Sequence, residues 1–159
     1  MKHTIFVVVD NEFGVLARIA GLFSGRGFNI TSLTVGESND PEISKMTIVV
    51  DDQGQPRIME QVEKQLNKLV NVIKVQDFTG HKFVDRELIL VRVNTTTNTR
   101  SDLLEIAQIF RTRVVNVGHK SMVLEVTGAE EKIEAFFKLL NQYGIQELVR
   151  TGKIALARS

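Results

Sequence analysis

Residues 10–36, DNEFGVLARIAGLFSGRGFNITSLTVG, concentrate the side chains able to do chemistry. Asn11 and Asn29 each offer a neutral amide that both donates and accepts hydrogen bonds. Gly14 has no Cβ, so a ligand can approach its backbone closely. The polar turn Asp10-Asn11-Glu12 and Gly14 open an amphipathic segment. A helix beginning there presents unpaired N–H groups and the positive end of its dipole. Such a set suits a small molecule bearing a carboxylate and an amino group. The carboxylate fits the N–H groups of Gly14, Val15 and Leu16. The ammonium needs acceptors, which the Asn side-chain carbonyls supply, and Leu16, Ile30 and Leu33 can wall an aliphatic side chain. Asn11 and Asn29 are expected at the same end of one folded unit, converging there or, better, across a two-fold interface with one Asn from each subunit. With no nucleophile or catalytic base in place, the stretch reads as a sensing site. Taken singly, Asn11 also suits an N-cap, Asn29 a turn and Gly14 a helix start.

The elements that must position these residues alternate regularly. Residues 4–9 read as a buried strand and 14–25 as a helix whose Leu16, Ile19, Ala20 and Phe23 form one stripe, stopped by Gly25 and Gly27. Residues 30–36 and 43–50 read as strands around an Asn39-Asp40-Pro41 turn, with Met46, Ile48 and Val50 alternating with Lys45, Thr47 and Val49. A loop over 51–56 leads to a helix over 57–69, with Ile58, Val62, Leu66 and Leu69 on one side, and a strand over 72–78. This is the split βαβ order, with an antiparallel sheet and both helices on one face. The second half repeats it: strand 88–93, helix 101–111 (Leu103, Ala107, Phe110), strands 113–118 and 121–127 around a His119-Lys120 turn, helix 130–142 (Ile133, Phe136, Phe137, Leu140) and strand 145–150. The expectation is an α+β chain of two tandem ferredoxin-like βαββαβ domains, residues 1–79 and 83–159, linked by Gly80-His81-Lys82. The tail TGKIALARS adds a short strand or lies loose.

Composition narrows the function classes. The 159 residues are 43% apolar and 25% charged with a net charge of +1, so no global field selects nucleic acid. Domains of ~70–80 residues lie near the lower limit for independent cores and gain from dimerising. The absence of cysteine excludes a disulfide frame or thiolate chemistry. No apolar stretch approaches the ~20 residues of a membrane helix and no signal peptide opens the chain, which predicts a cytoplasmic protein. His3, His81 and His119 lack metal-ligand spacing and are expected at the surface or in turns. Asp51-Asp52 is a loop pair without calcium-loop spacing. Gly25-Arg26-Gly27 ends a helix and does not open one, which argues against dinucleotide binding. Arg92, Arg111, Arg113 and Lys120 form either a basic face for a partner or, more commonly, a solvated one. The central strands carry a single aromatic, Phe6, which argues against base stacking on the sheet, and no basic recognition helix is present.

The stretch VVDNEFGVLARIAGLFSGRGFNITSLTVG resembles the ACT domain, a ferredoxin-like amino-acid-sensing module. With SKMTIVV, VEKQLNKLVNVIKV, the REL at 86–88, the IFR at 109–111 and the terminal RTGKIAL, it resembles the regulatory small subunits of acetohydroxyacid synthase (acetolactate synthase) along essentially the whole chain. The resemblance implies an N-terminal ACT domain and a C-terminal ACT-like one. It implies no active site or cofactor in this chain. The expected partner is a catalytic large subunit, a transferase of branched-chain amino-acid biosynthesis that carries thiamine diphosphate, FAD and Mg²⁺. The small subunit would stimulate that partner and make it sensitive to valine, bound between the ACT domains of two subunits of a homodimer. By position, Asn11, Gly14, Val15, Leu16, Asn29 and Ile30 inherit the effector-binding role. Phe13 departs from the small or polar residues common in the family; it either covers the helix start or narrows the pocket. The alternative is a free-standing ACT-type sensor controlling transcription or another enzyme.

Overall fold

The computed structural model describes residues 1–55 and 57–159; Pro56, expected at the end of the 51–56 loop, lies outside the described residues. In chain order the elements are β1 (Lys2–Asp10), α1 (Val15–Ser24), β2 (Ile30–Glu37), β3 (Ile43–Asp51), α2 (Arg57–Asn67), β4 (Val72–Asp77), β5 (Phe83–Asn94), α3 (Arg100–Ile109), β6 (Arg113–Val117), β7 (Ser121–Gly128), α4 (Glu130–Leu140), β8 (Ile145–Arg150) and β9 (Ile154–Ala157). They form two compact units, Met1–Val84 with Lys153–Ser159, and Asp85–Gly152. Each is a ferredoxin-like βαββαβ unit. The first has sheet order β2-β3-β1-β4, the second β6-β7-β5-β8, and every pairing among these strands is antiparallel.

In the first unit, β1 is a β-branched run because both of its faces are covered. Ile5, Val7 and Val9 pack under the helices with Ile19, Phe23, Val62 and Leu66. Phe6, on the opposite face, is buried with Phe78 and Ala155. Its ring stacks on Phe78 at 5.7 Å, and Phe78 stacks on Phe83 at 5.3 Å. The tail supplies that second layer as β9, whose Ala155 N–H donates to Thr47 Oγ1 at 3.3 Å. Thr47 and Val49 are therefore buried together with Met46, Ile48 and Val50.

Two expectations change here. The buried stripe of α1 is Val15, Ile19 and Phe23, while Leu16 is 43% exposed. The helix begins at Val15, and each residue turns ~100° about the axis, so Leu16 rotates away from the sheet. His3 is buried and not at the surface, because it shares the helix-side face of β1 with Ile5 and Val7; its Nε2 meets Asp52 Oδ2 at 3.0 Å and its Nδ1 lies 3.4 Å from Asp77 Oδ2. Asp52, in the loop after β3 as expected, is buried with it.

In the second unit, Ile89, Val91 and Val93 of β5 and Met122, Leu124 and Val126 of β7 face Leu103, Ala107, Ile133, Phe136 and Leu140. Phe136 packs at 5.3 Å from Phe110. β5 begins at Phe83, five residues before the expected Leu88, so the connection after β4 is a tight turn around Gly80. Glu87 of β5 accepts a bidentate pair from Arg150 of β8 at 2.6 and 2.7 Å.

Candidate functional site

The junction of β1 and α1 is built by backbone pairing. Asp10 N–H donates to Asn71 O at 2.9 Å and Asn11 N–H to Glu42 O at 2.7 Å, so the chain leaves the sheet pinned on both sides. Asn11 Nδ2 donates to Pro41 O at 2.8 Å. That fixes the side chain and leaves its carbonyl oxygen unpartnered among the described residues, an acceptor near the helix start.

Gly14 follows at φ 82°, ψ −6°, a left-handed conformation that glycine adopts without strain. A Cβ there would meet nothing within 4 Å, so the space before the helix is open. No side chain caps α1. Val15 N–H makes a long 3.4 Å bond to Glu12 O, and the first helical bond is Arg18 N–H to Gly14 O at 3.0 Å. The N–H groups of Leu16 and Ala17 have no partner among the described residues. Free donors at a helix start attract a carboxylate. Phe13, expected to cover this start or narrow a pocket, is fully exposed.

Asn71 and Arg18 complete the junction, and the sequence pattern missed both. Asn71 Nδ2 donates to Asp10 Oδ2 at 3.3 Å and Glu12 Oε2 at 3.2 Å, while its Oδ1 accepts from Arg18 Nη1 at 2.6 Å. The available signals were a lone Asn between the α2 and β4 patterns and a cation one helical turn past Gly14.

Asn29 and Ile30 lie elsewhere. Ile30 pairs with Val50, which pairs with His3, whereas Asp10 pairs with Ile43 at the other end of the sheet. Seven residues of strand, roughly 23 Å, separate the two levels. The expectation that Asn11 and Asn29 share one end of a unit is therefore corrected. The helix returns the chain along the full length of the sheet, so β2 starts where β1 starts. Within one copy Asn11, Gly14, Val15 and Leu16 come together, and Asn29 with Ile30 forms a second group at the opposite end. Asn29 is exposed, and Ile30 and Leu33 pack partly against the core. β2 is an edge strand.

The level of Ile30 also carries the charged cluster at the start of β1. Asp52 accepts from the Met1 α-amino group, from His3 Nε2 and from Gly54 N–H at 3.0 Å. These donors, the amino group first, hold its carboxyl well below the usual carboxylate range. The same contact raises the pKa of the Met1 amino group.

The second unit repeats the junction with different side chains. Asn94 N–H donates to Gly144 O and Thr95 N–H to Lys120 O, both at 2.9 Å, and Leu103 N–H donates to Thr99 O. Thr95 thus occupies the place of Asn11, and Thr99 that of Gly14. Here the turn before the helix is braced: Thr96 N–H donates to Thr99 Oγ1 at 2.9 Å and Thr99 N–H to Thr96 Oγ1 at 3.2 Å, while α3 itself, like α1, has no side-chain cap. Arg100 Nη2 bonds to Gly118 O at 3.1 Å. The four cations read as either a basic face or, more commonly, a solvated one do not form an uninterrupted basic face, since Arg92 lies 3.8 Å from Glu147 and Arg113 pairs in register with Glu125.

Residues 5–74 match the family described as the AHAS small subunit-like ACT domain, and residues 86–159 the family described as the small subunit of acetolactate synthase. The chain is 53% identical to the probable acetolactate synthase small subunit of Archaeoglobus fulgidus, across 99% of this chain and 98% of that protein. It is 44% identical to the acetolactate synthase small subunit of Mycolicibacterium smegmatis, across 98% and 91%. The crystal structure of the acetolactate synthase small subunit from Thermotoga maritima superposes with a TM-score of 0.85 at 38% identity, covering 100% of this chain and 98% of that one.

Proposed function

The chain belongs to the acetolactate synthase small-subunit family, the regulatory subunits of that enzyme, and on that premise we propose that it stimulates a catalytic large subunit in the cytoplasm and confers feedback inhibition by valine. Thiamine diphosphate, FAD and Mg²⁺ belong to that partner, and this chain contributes no catalytic residue.

The observation that carries the reading is the uncapped start of α1 beside Gly14, with two free N–H groups and the outward carbonyl of Asn11. The two-fold arrangement follows from the separation of Asn11 and Asn29. β2 is an open edge, and an antiparallel pairing of β2 with its copy reverses the strand direction. That sets the Asn29 end of one subunit beside the Glu37 end of the other, the end that also holds the partner subunit's Asn11 and Gly14. Each homodimer then has two equivalent sites. Valine's carboxylate lies on one subunit's α1 donors, with the carboxamides of Asn11 and Asn29 on its ammonium and Leu16 and Ile30 beside its methyl groups. Inhibition requires tighter binding to one arrangement of the dimer than to the other; binding alone shifts nothing.

The experiment is co-purification with the large subunit, followed by acetolactate synthesis with and without valine. The expected result is stimulation by this chain and loss of it on adding valine. Gly14→Asp, which opposes one carboxylate with another, should keep the stimulation and abolish the valine response. A valine response unchanged in Gly14→Asp removes the site assignment.

A further inference from the structure

In the second unit the sheet face turned away from α3 and α4 is open. Leu90 is 40% exposed there, and a shallow concavity of about 220 Å³ lies between Leu90, Arg92, Val123 and Glu147. The register places one charge on each strand of this face. Arg113 of β6 lies level with Glu125 of β7 and with Leu90 of β5; two residues along, Val123 of β7 lies level with Arg92 of β5 and Glu147 of β8. From one edge of the sheet to the other the charges therefore run Arg113, Glu125, Arg92, Glu147, alternating in sign along an oblique line. Strand spacings of ~4.8 Å across and ~6.7 Å between levels put Leu90 and Val123 on opposite sides of the midpoint of that line.

A line of four alternating charges is complementary to itself. Turned over by a two-fold axis perpendicular to it at its centre, Arg113 meets the partner subunit's Glu147 and Glu125 meets the partner subunit's Arg92. The same rotation brings Leu90 and Val123 each close to its own copy. A face of one sign would suit a partner of the other sign; this face has no net charge and an apolar centre. The charges are available, since Arg92 and Glu147 are 47% and 66% exposed and only loosely paired at 3.8 Å. We infer that this face is the contact for a second copy of the chain, an isologous sheet-on-sheet interface centred on Leu90 and Val123. It is separate from the β2 edge, so a chain that uses both contacts assembles beyond the dimer.

The test is sedimentation equilibrium of the full chain, with circular dichroism as a check on folding. Leu90→Lys, at an exposed position, and the double variant Glu125→Arg/Glu147→Arg, which makes the line uniformly positive, should each lower the assembly mass and weaken association at least tenfold. Reversing all four charges (R92E, R113E, E125R, E147R) restores alternation and should restore the mass. The chain has no cysteine, so Leu90→Cys treated with a short bismaleimide should give covalent pairs that disappear in the E125R/E147R background. An unchanged mass in all variants with no cross-linked pairs overturns the inference. It is equally overturned if the mass holds while co-sedimentation with the large subunit is lost. Valine binding reports on the β1–α1 junction alone, so failure here is distinguishable from failure of the proposed effector site.

Discussion

The two units follow the same chain path and differ where the path leaves the sheet. In the first, a left-handed Gly14 precedes the helix and Asn11 is tied to Pro41 O. In the second, Thr96 and Thr99 brace the preceding turn and Arg100 ties the helix start to the β6–β7 turn. The outer sheet faces differ as well: Phe6 lies buried with Phe78 and Ala155, whereas Leu90 and Val149 are exposed. One topology thus carries two differently built helix starts, and a second layer decides whether a sheet face is covered or exposed.

The largest expected effect tests whether the units are energetically separate. Phe23 and Phe136 are both fully buried, one in each helix-side core. Replacing either with Ala should cost about 3–5 kcal/mol. Native-state hydrogen exchange should show the loss in the slowest amides of residues 1–84 for Phe23→Ala and of residues 85–152 for Phe136→Ala. An equal loss in both units from either change would mean that they unfold as one.

Much of this separation was legible in the sequence, because hydrophobic spacing reports which face of an element is buried. The repeated βαββαβ order, Phe136 in the core and Gly14 at a helix start all follow from local pattern. Leu16 was misplaced because a stripe shifted by one residue fits the same spacing almost as well, and only the register of the helix on the sheet decides. His3 was misread because its burial depends on Asp52 and Asp77, which the fold brings to it from much later in the chain. The separation of Asn11 and Asn29 is a property of the crossover: neighbours in a motif lie a sheet length apart once the helix has run its course. Asn71 was invisible for a similar reason, since its partners are sixty residues away.

The effector site gives the next largest effect and the sharpest contrast. Losing a hydrogen bond to a charged group costs about 1.5–3 kcal/mol, so Asn11→Ala and Asn29→Ala should each weaken valine binding about ten- to a hundredfold by calorimetry. Thr95→Ala, at the matching place in the second unit, should leave the affinity unchanged. If Thr95→Ala weakened binding as much as Asn11→Ala, the start of α3 would be a second valine site and the contrast would fail.

Acid should also divide the units. The folded-state pKa of Asp52 is depressed, so its carboxylate stabilises the first unit above its unfolded pKa of about 3.9 and loses that contribution as pH falls below it. Asp52→Asn should therefore lower the urea midpoint at pH 7, and the gap from the native chain should narrow steadily as pH falls below about 4. The effect should be confined to amides of residues 1–84. A gap that widened toward acid would mean that the carboxylate is not the stabilising form.

The smallest effect concerns the helix starts themselves. Thr96→Ala removes the hydroxyl bonded to Thr99 N–H and should cost about 1 kcal/mol. Gly14→Ala meets no steric obstacle, yet forces a left-handed residue and should cost a similar ~1 kcal/mol. The causes differ, and valine tells them apart. A filled site lends the first unit binding energy, so saturating valine should raise the stability of both variants equally if Gly14 matters only through its backbone angle. If Gly14 also gives the carboxylate its access, the added methyl stands in the ligand's space and the Gly14→Ala chain alone should gain less from valine. Chemical denaturation with and without saturating valine separates the two.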